Sequence, residues 1–310
     1  MTSEHKSFFD GYTIEPWNEG PLKNIPTTAY RLALDHQDAE SWPEKLSRFV
    51  ALEQANQVEA LVVGAWWTED YIDTSSVVEA LVIHHQSLPH LRALFIGDVT
   101  YEECEISWIQ QSDMSPLFMA YPRLLHFGVR GAEQLNFGRV QHQALRSFTL
   151  ESGGTRAELV RQIASMEVPQ LIDLELWTGS RFYGWDGTLD DLRPIIMGES
   201  FPHLKRLALR DCELANEVAI TLVASPLFER LDELDLSLGT FDDEGGQVLL
   251  DHPATKRLKH LNLKHDFCSD EMRKKLEALK EQGVVVEIDE PADSREWGGD
   301  EDGRYVAVGE

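Results

Sequence analysis

The chain has 310 residues, 42% of them hydrophobic, and carries 28 Lys and Arg against 54 Asp and Glu, for a formal net charge of −26 at pH 7. Such an acid excess repels nucleic-acid phosphates and anionic lipid, so neither nucleic acid nor membrane is expected as a partner, and a basic protein suits the charge better. The hydrophobic share suffices for a large core in one or two domains.

Taken in chain order, the opening MTSEHKSFFDGY lacks the basic start and apolar run of a signal peptide. No later stretch approaches the roughly eighteen apolar residues of a spanning helix, so a cytoplasmic location is expected. Ser41-Trp42-Pro43-Glu44 reads as a capping box with Pro43 at the first helical position, followed by Leu46, Phe49, Val50 and Leu52 at helical spacing. Further helices are expected over 73–86 and 213–224. Another follows Ser269 or Asp270, carries Met272, Leu276 and Leu279, and is closed by Gly283.

Between these helices a short phrase recurs. LPHLRAL from 88, YPRLLHF from 121, VPQLIDL from 168 and FPHLKRL from 201 each place a proline two residues before a leucine and an apolar residue three places after it. The wider pattern is Leu-x-x-Leu-x-Leu, with starts at 29, 58, 91, 124, 145, 171, 204, 231, 258 and 283. Most of the spacings fall within the roughly 20 to 29 residues of leucine-rich repeats, and the longer ones imply loop insertions. Residues three and five places after each start share one side of a strand, and those two, four and six places after share the other. The proline cannot donate a ladder hydrogen bond and disfavours helix in the residue before it, so it marks the passage from helix into strand. Alternation of strand and helix predicts an α/β leucine-rich-repeat solenoid of about ten strands, a curved parallel sheet inside and helices outside. The expected organisation is an N-terminal segment and capping repeat over 1–57, repeats with a closing strand over 58–288, and an acidic tail over 289–310. That tail is expected to be flexible, with docking of Tyr305, Val306 and Val308 as the alternative.

The segment LKRLALRDCEL, residues 204–214, resembles the leucine-rich-repeat consensus, including Cys212 in its asparagine/cysteine position. With the flanks FFDGYTIEPWNEG and GRYVAVGE, the chain is similar to an uncharacterised bacterial leucine-rich-repeat family of about this length. The resemblance covers about residues 29–288. It implies neighbours of radical-SAM and ATP-grasp type and no assigned activity.

Local signatures of catalysis are absent: the chain has no Gly-rich phosphate loop, Gly-x-Ser-x-Gly elbow or His-Glu-x-x-His. His84, His85 and His90 straddle a helix end and a turn with no cysteine near, so neither metal nor cofactor is expected. Cys104, Cys212 and Cys268 are odd in number and far apart, which suits reduced thiols. Cys212 and Cys268 fall at turn and core positions of their repeats, while Cys104 has no such place.

Two loops leaving the C-terminal ends of strands are rich in aromatics: GAWWTEDYIDTS, with Trp66, Trp67 and Tyr71, and WTGSRFYGWDGTLDD, with Phe182, Tyr183 and Trp185. Either they fold back over the core or they stay accessible as contact anchors. The concave strand face is expected to carry Phe95, His126, Arg130, Glu151, Asp173, Glu175, Trp177, Arg206, Arg210, Glu233, Asp235, His260 and Lys264, in alternating bands of charge. The candidate partner-binding set is Trp177, Glu175, Asp173, Arg206, Arg210, Glu233, Asp235, Phe182, Tyr183, Trp185, Trp67 and Tyr71. This pattern favours an intracellular protein-interaction module or adaptor over an enzyme. The alternatives are an acidic inhibitor of a basic enzyme and an enzyme sited at the aromatic loops.

Overall fold

The computed structural model describes residues 3–68, 71–289 and 303–308. The chain divides into an N-terminal unit, Thr2–Glu151 with Met166–Gln170, and a C-terminal unit, Ser152–Ser165 with Leu171–Glu310. Each is a stretch of leucine-rich-repeat α/β solenoid, with strands joined in chain order.

In the N-terminal unit the strands are β1 (Phe8–Phe9), β2 (Tyr12–Pro16), β3 (Thr28–Leu32), β4 (Ala60–Val63), β5 (Ala93–Ile96), β6 (His126–Arg130) and β7 (Ser147–Glu151). From β2 onward neighbours pair in parallel, and the register aligns Tyr30, Leu61, Leu94, Phe127 and Phe148 in one core row. The ladder corrects the first repeat by two residues, because Tyr30 and Leu32, not Leu32 and Leu34, hold its core positions. A slip of two keeps every side chain on its face and changes only its neighbour.

The helices of this unit are α1 (Trp42–Val50), α2 (Ser75–Ile83) and α3 (Ser115–Ala120). Ser41 and Glu44 form the capping box of α1, and Pro43 is its second residue. Leu46 and Phe49 bury the inner side of α1, and the Trp42 indole donates to the carbonyl of Leu32 at 3.1 Å.

Among the described residues two strands exceed the expected ten, and both precede the first repeat. Asp10 and Gly11 take left-handed φ of 44° and 96°, the geometry of a two-residue hairpin turn, and fold β1 antiparallel onto β2. The hairpin carries Phe9 over Ala29, Ala60, Val62, Ala93 and Phe95. Phe95, Arg130 and Glu151 are therefore buried, where an open face was expected, and His126 is half-buried.

The C-terminal unit contains β8 (Asp173–Gly179), β9 (Arg206–Cys212), β10 (Glu233–Asp235), β11 (His260–Asn262) and β12 (Val285–Glu287), all parallel. Leu174, Leu207, Leu234, Leu261 and Val286 align in one buried row. Between the strands run α4 (Ala157–Ala164), α5 (Leu189–Ile196), α6 (Ala215–Val223), α7 (Asp243–Asp251) and α8 (Asp270–Glu277). Ser269 is the cap of α8 and accepts from the Met272 amide at 3.2 Å. One position of three successive repeats has a left-handed φ: Asp211, near the end of β9, and Leu238 and His265, just past β10 and β11, have φ of 51°, 68° and 58°.

Of the acidic tail, residues 290–302 and 309–310 lie outside the described residues. Residues 303–308 are docked within the C-terminal unit, which corrects the flexible expectation for that stretch. The Ala307 amide donates to Leu238 O at 2.8 Å, and Val306 and Val308 are buried. Tyr305 packs edge-on against His265 and Phe267, and Arg304 pairs with Asp242. The Val308 amide donates to Asp211 Oδ1 at 2.8 Å, beside a carboxyl that burial pushes up to about 7.

Candidate functional site

In-register parallel pairing turns a sequence pattern into a lattice. Asp173 lies opposite Arg206, which lies opposite Glu233 and then His260; Glu175 lies opposite Ala208, Asp235 and Asn262; Trp177 lies opposite Arg210. All of these side chains leave the face opposite the leucine row. The small methyl of Ala208 leaves its part of the lattice to the two arginines on either side of it in β9.

Arg206 donates to Asp173 Oδ1 at 2.7 Å and to Glu175 Oε2 at 2.8 Å, and its Nε is 3.7 Å from Glu233 Oε2. Arg210 donates to Glu175 Oε1 at 2.9 Å and to Ser237 Oγ at 3.0 Å, and its Nε is 3.6 Å from Asp235 Oδ2. Asn262 donates to the same Asp235 oxygen at 2.9 Å. On the next strands Glu287 takes Lys264 at 2.5 Å and His260 at 2.8 Å.

Glu175 is the centre of the lattice. Burial acts to raise its pKa, but Arg210, then Arg206 and the Trp177 indole outweigh it and hold the carboxyl at about 2. Burial likewise works against the charge on Arg206, and Asp173 and Glu175 override it, so its pKa is raised. Charges this deep are stabilised only when each is matched, which the fork of each guanidinium does for two carboxylates at once. Toward the rim, exposure rises to 33% at Asp173 and 41% at Glu233.

Trp177 reaches the expected face, yet it is only 6% exposed. Its indole donates to Glu175 Oε1 at 2.9 Å, and the Arg210 guanidinium lies 4.9 Å from its ring centroid. A tryptophan N–H needs an acceptor when buried, and a cation covers the ring face, so Trp177 is part of the lattice rather than a free anchor.

The aromatic loops divide in the same manner. Trp185 is 2% exposed, because Gly187 lacks the Cβ that would strike its ring. Trp66 and Trp67 are buried edge to face, 4.6 Å apart, and Trp66 donates to Ile72 O at 2.8 Å. Trp67 and Trp185 are thus corrected from contact candidates to packing residues. Phe182 stands 89% exposed, Tyr183 beside it is half-buried, and Tyr71 is exposed in the N-terminal unit. There Tyr71 shares a shallow hollow of about 460 Å³ with Trp108, Gln110 and Gln134.

Sequence reasoning missed Ser237 and Asn262, two neutral members of the lattice. Asn262 is four residues after the start of its repeat, which marks the strand face. Cys104, Cys212 and Cys268 are buried and form no disulfide with one another, and burial pushes the Cys212 thiol up to about 11 and raises that of Cys268. Among the described residues no three His, Cys, Asp or Glu side chains are placed to hold a metal ion. Nor, among them, is any helix long and apolar enough to cross a membrane.

A crystal structure of a Bacteroides fragilis protein superposes with a TM-score of 0.79 at 31% sequence identity, over 90% of this chain and 76% of that one. The chain belongs to the family of that Bacteroides protein. This is a bacterial leucine-rich-repeat family, as LKRLALRDCEL and the in-register leucine rows require. An internalin of Listeria monocytogenes also aligns, over 87% of this chain and 69% of that one, at 16% identity and a TM-score of 0.43, too loosely to carry an argument. No family model and no curated protein matches the chain.

Proposed function

We propose that the protein is a cytoplasmic protein-interaction module, an adaptor that binds a protein partner through the strand face of its C-terminal unit. The observation that carries this reading is the lattice itself: two arginines fixed among four carboxylates, with Asp173 and Glu233 half-exposed at its edge. Pre-ordered charges bind with less entropic cost than free ones and select the pattern of the partner. Acids outnumber bases on this face, so a basic partner surface is favoured, with Lys or Arg side chains meeting Asp173 and Glu233. Phe182 supplies the exposed apolar contact. A Glu175 held at about 2 stays ionised at neutral pH and has no proton to give, which counts against acid catalysis there. Three buried thiols that form no disulfide with one another support a reducing compartment.

The test is capture from a lysate of the organism that makes the chain, comparing wild type with Asp173→Lys/Glu233→Lys. A partner retained only by the wild type, with an association rate that falls as salt rises, is the expected result. Equal capture by both proteins rejects the face. The same acid excess favours a second reading, inhibition of a basic enzyme, which a captured hydrolase losing activity on binding would establish.

A further inference from the structure

The strand face of the N-terminal unit is built differently, and it is occupied. Its first row is Ala29, Ala60 and Ala93, a low floor, and its second contains Val62, Phe95 and Gly128. A Cβ on Gly128 would lie 2.4 Å from the Phe95 ring and 3.3 Å from the Phe9 ring, so glycine admits both aromatics. Over this floor runs the segment His5–Asp10. Phe9 meets Phe95 edge-on at 5.4 Å, while Phe8 points to solvent. Lys6 Nζ lies 2.5 Å from Glu151 Oε1 and 4.7 Å from the Phe95 ring centroid, and the Lys6 amide donates to Asp98 Oδ1 at 2.9 Å. Asp10 closes the far end, 3.0 Å from His126 Nδ1.

Two features distinguish this arrangement from an ordinary core. The receiving carboxylates have cations of their own: Arg31 Nε donates to Asp98 at 2.8 Å, and Arg130 Nε donates to Glu151 at 2.7 Å. Both acids therefore stay paired when Lys6 leaves. Among the described residues the covering strand β1 makes its ladder bonds to β2 alone, the segment reaching the strands it covers through side chains of His5, Lys6 and Asp10, and it turns at Asp10-Gly11. It can lift without breaking the parallel ladder.

We propose that this face is a peptide-binding surface kept closed by the chain's own residues 5–10, and that it opens to a partner-protein segment bearing a lysine and, three residues on, a phenylalanine. The seated segment displays the chemistry the face accepts: an ammonium between Glu151 and the Phe95 ring, and an aromatic ring on the alanine floor. Because the tether holds its own segment at an effective concentration of order mM, a free peptide competes poorly until the closure is weakened.

The experiment uses the full-length chain and a fluorescent peptide of residues 3–11, SEHKSFFDG. Lys6→Ala/Phe9→Ala is expected to bind this peptide about tenfold or more tightly than wild type, since the tethered competitor is lost. Adding Glu151→Gln should cut that affinity about fivefold through loss of the charged acceptor. If the double variant does not unfold cooperatively, Lys6→Ala alone is used, with an expected gain of about threefold. A cooperatively folded variant with no gain in peptide affinity overturns the proposal and makes the hairpin a fixed part of the fold. A concentration-dependent dimer that ignores the peptide overturns it in favour of a second copy as occupant.

Discussion

In the N-terminal unit the face positions of β3, β4 and β5 are Ala29, Ala60 and Ala93, buried beneath Phe9. In the C-terminal unit the corresponding positions of β8, β9 and β10 are Asp173, Arg206 and Glu233, paired with one another and partly open to water. A buried apolar row in register stands behind each face, so strand register alone does not determine what a repeat presents. The residue two places after the repeat start does: a methyl makes a floor for something apolar, and a charge makes a lattice.

The largest test of this contrast is its common foundation. Leu94→Ala in one unit and Leu207→Ala in the other should each cost about 2 to 5 kcal/mol in chemical denaturation, since both are fully buried in core rows. A near-zero cost at either would mean that the two faces do not rest on equivalent cores.

Next in size is Trp177→Ala, which removes a buried ring, one hydrogen bond to Glu175 and the surface under Arg210. We expect a loss of about 3 kcal/mol, visible as a lower denaturant midpoint. An unchanged midpoint would return Trp177 to the role of exposed anchor.

Acid separates the two faces further. Glu175 is held at about 2 against an ordinary 4.5, so its contribution is fully present above the unfolded value and is lost as pH falls through about 2. The amount is of order 3 kcal/mol. Glu175→Gln should abolish that part of the acid sensitivity while lowering stability at neutral pH. Stability curves of the two proteins that stay parallel between pH 5 and 2 would contradict the assignment.

The smallest effect is expected at Phe182. With the ring in solvent, Phe182→Ala should change stability by under about 0.5 kcal/mol, yet weaken capture of the partner by about 2 kcal/mol. A stability loss without any loss of capture would place it among the packing residues.

Much of this was legible in the chain. Leu207, Leu209 and Arg206 follow from strand alternation alone, and the aligned starts at 171, 204, 231 and 258 brought Asp173, Arg206, Glu233 and Glu175 together without coordinates. The first repeat slipped by two because Leu32 and Leu34 match a leucine template better than Tyr30 does, although an aromatic fills the same core site. The hairpin was written in FFDGYT, with Asp-Gly between aromatics, but a search for leucine periodicity passes over two-residue strands. Burial of Trp177 and Trp185 was not legible, since it depends on Arg210 and Gly187 reaching each ring in space.

Asp211, Leu238 and His265 share a left-handed φ although their side chains have nothing in common. The ladder, not the residue, imposes that bend, and it returns at the same interval as the starts at 204, 231 and 258. This part of the C-terminal unit therefore repeats with a fixed step in sequence, in which each repeat answers only to its neighbours. Duplicating residues 231–257 in place would insert one more row of Glu233, Asp235 and Ser237 chemistry between existing rows. The lattice can thus be lengthened like a sentence, by whole clauses, without rewriting the grammar on either side.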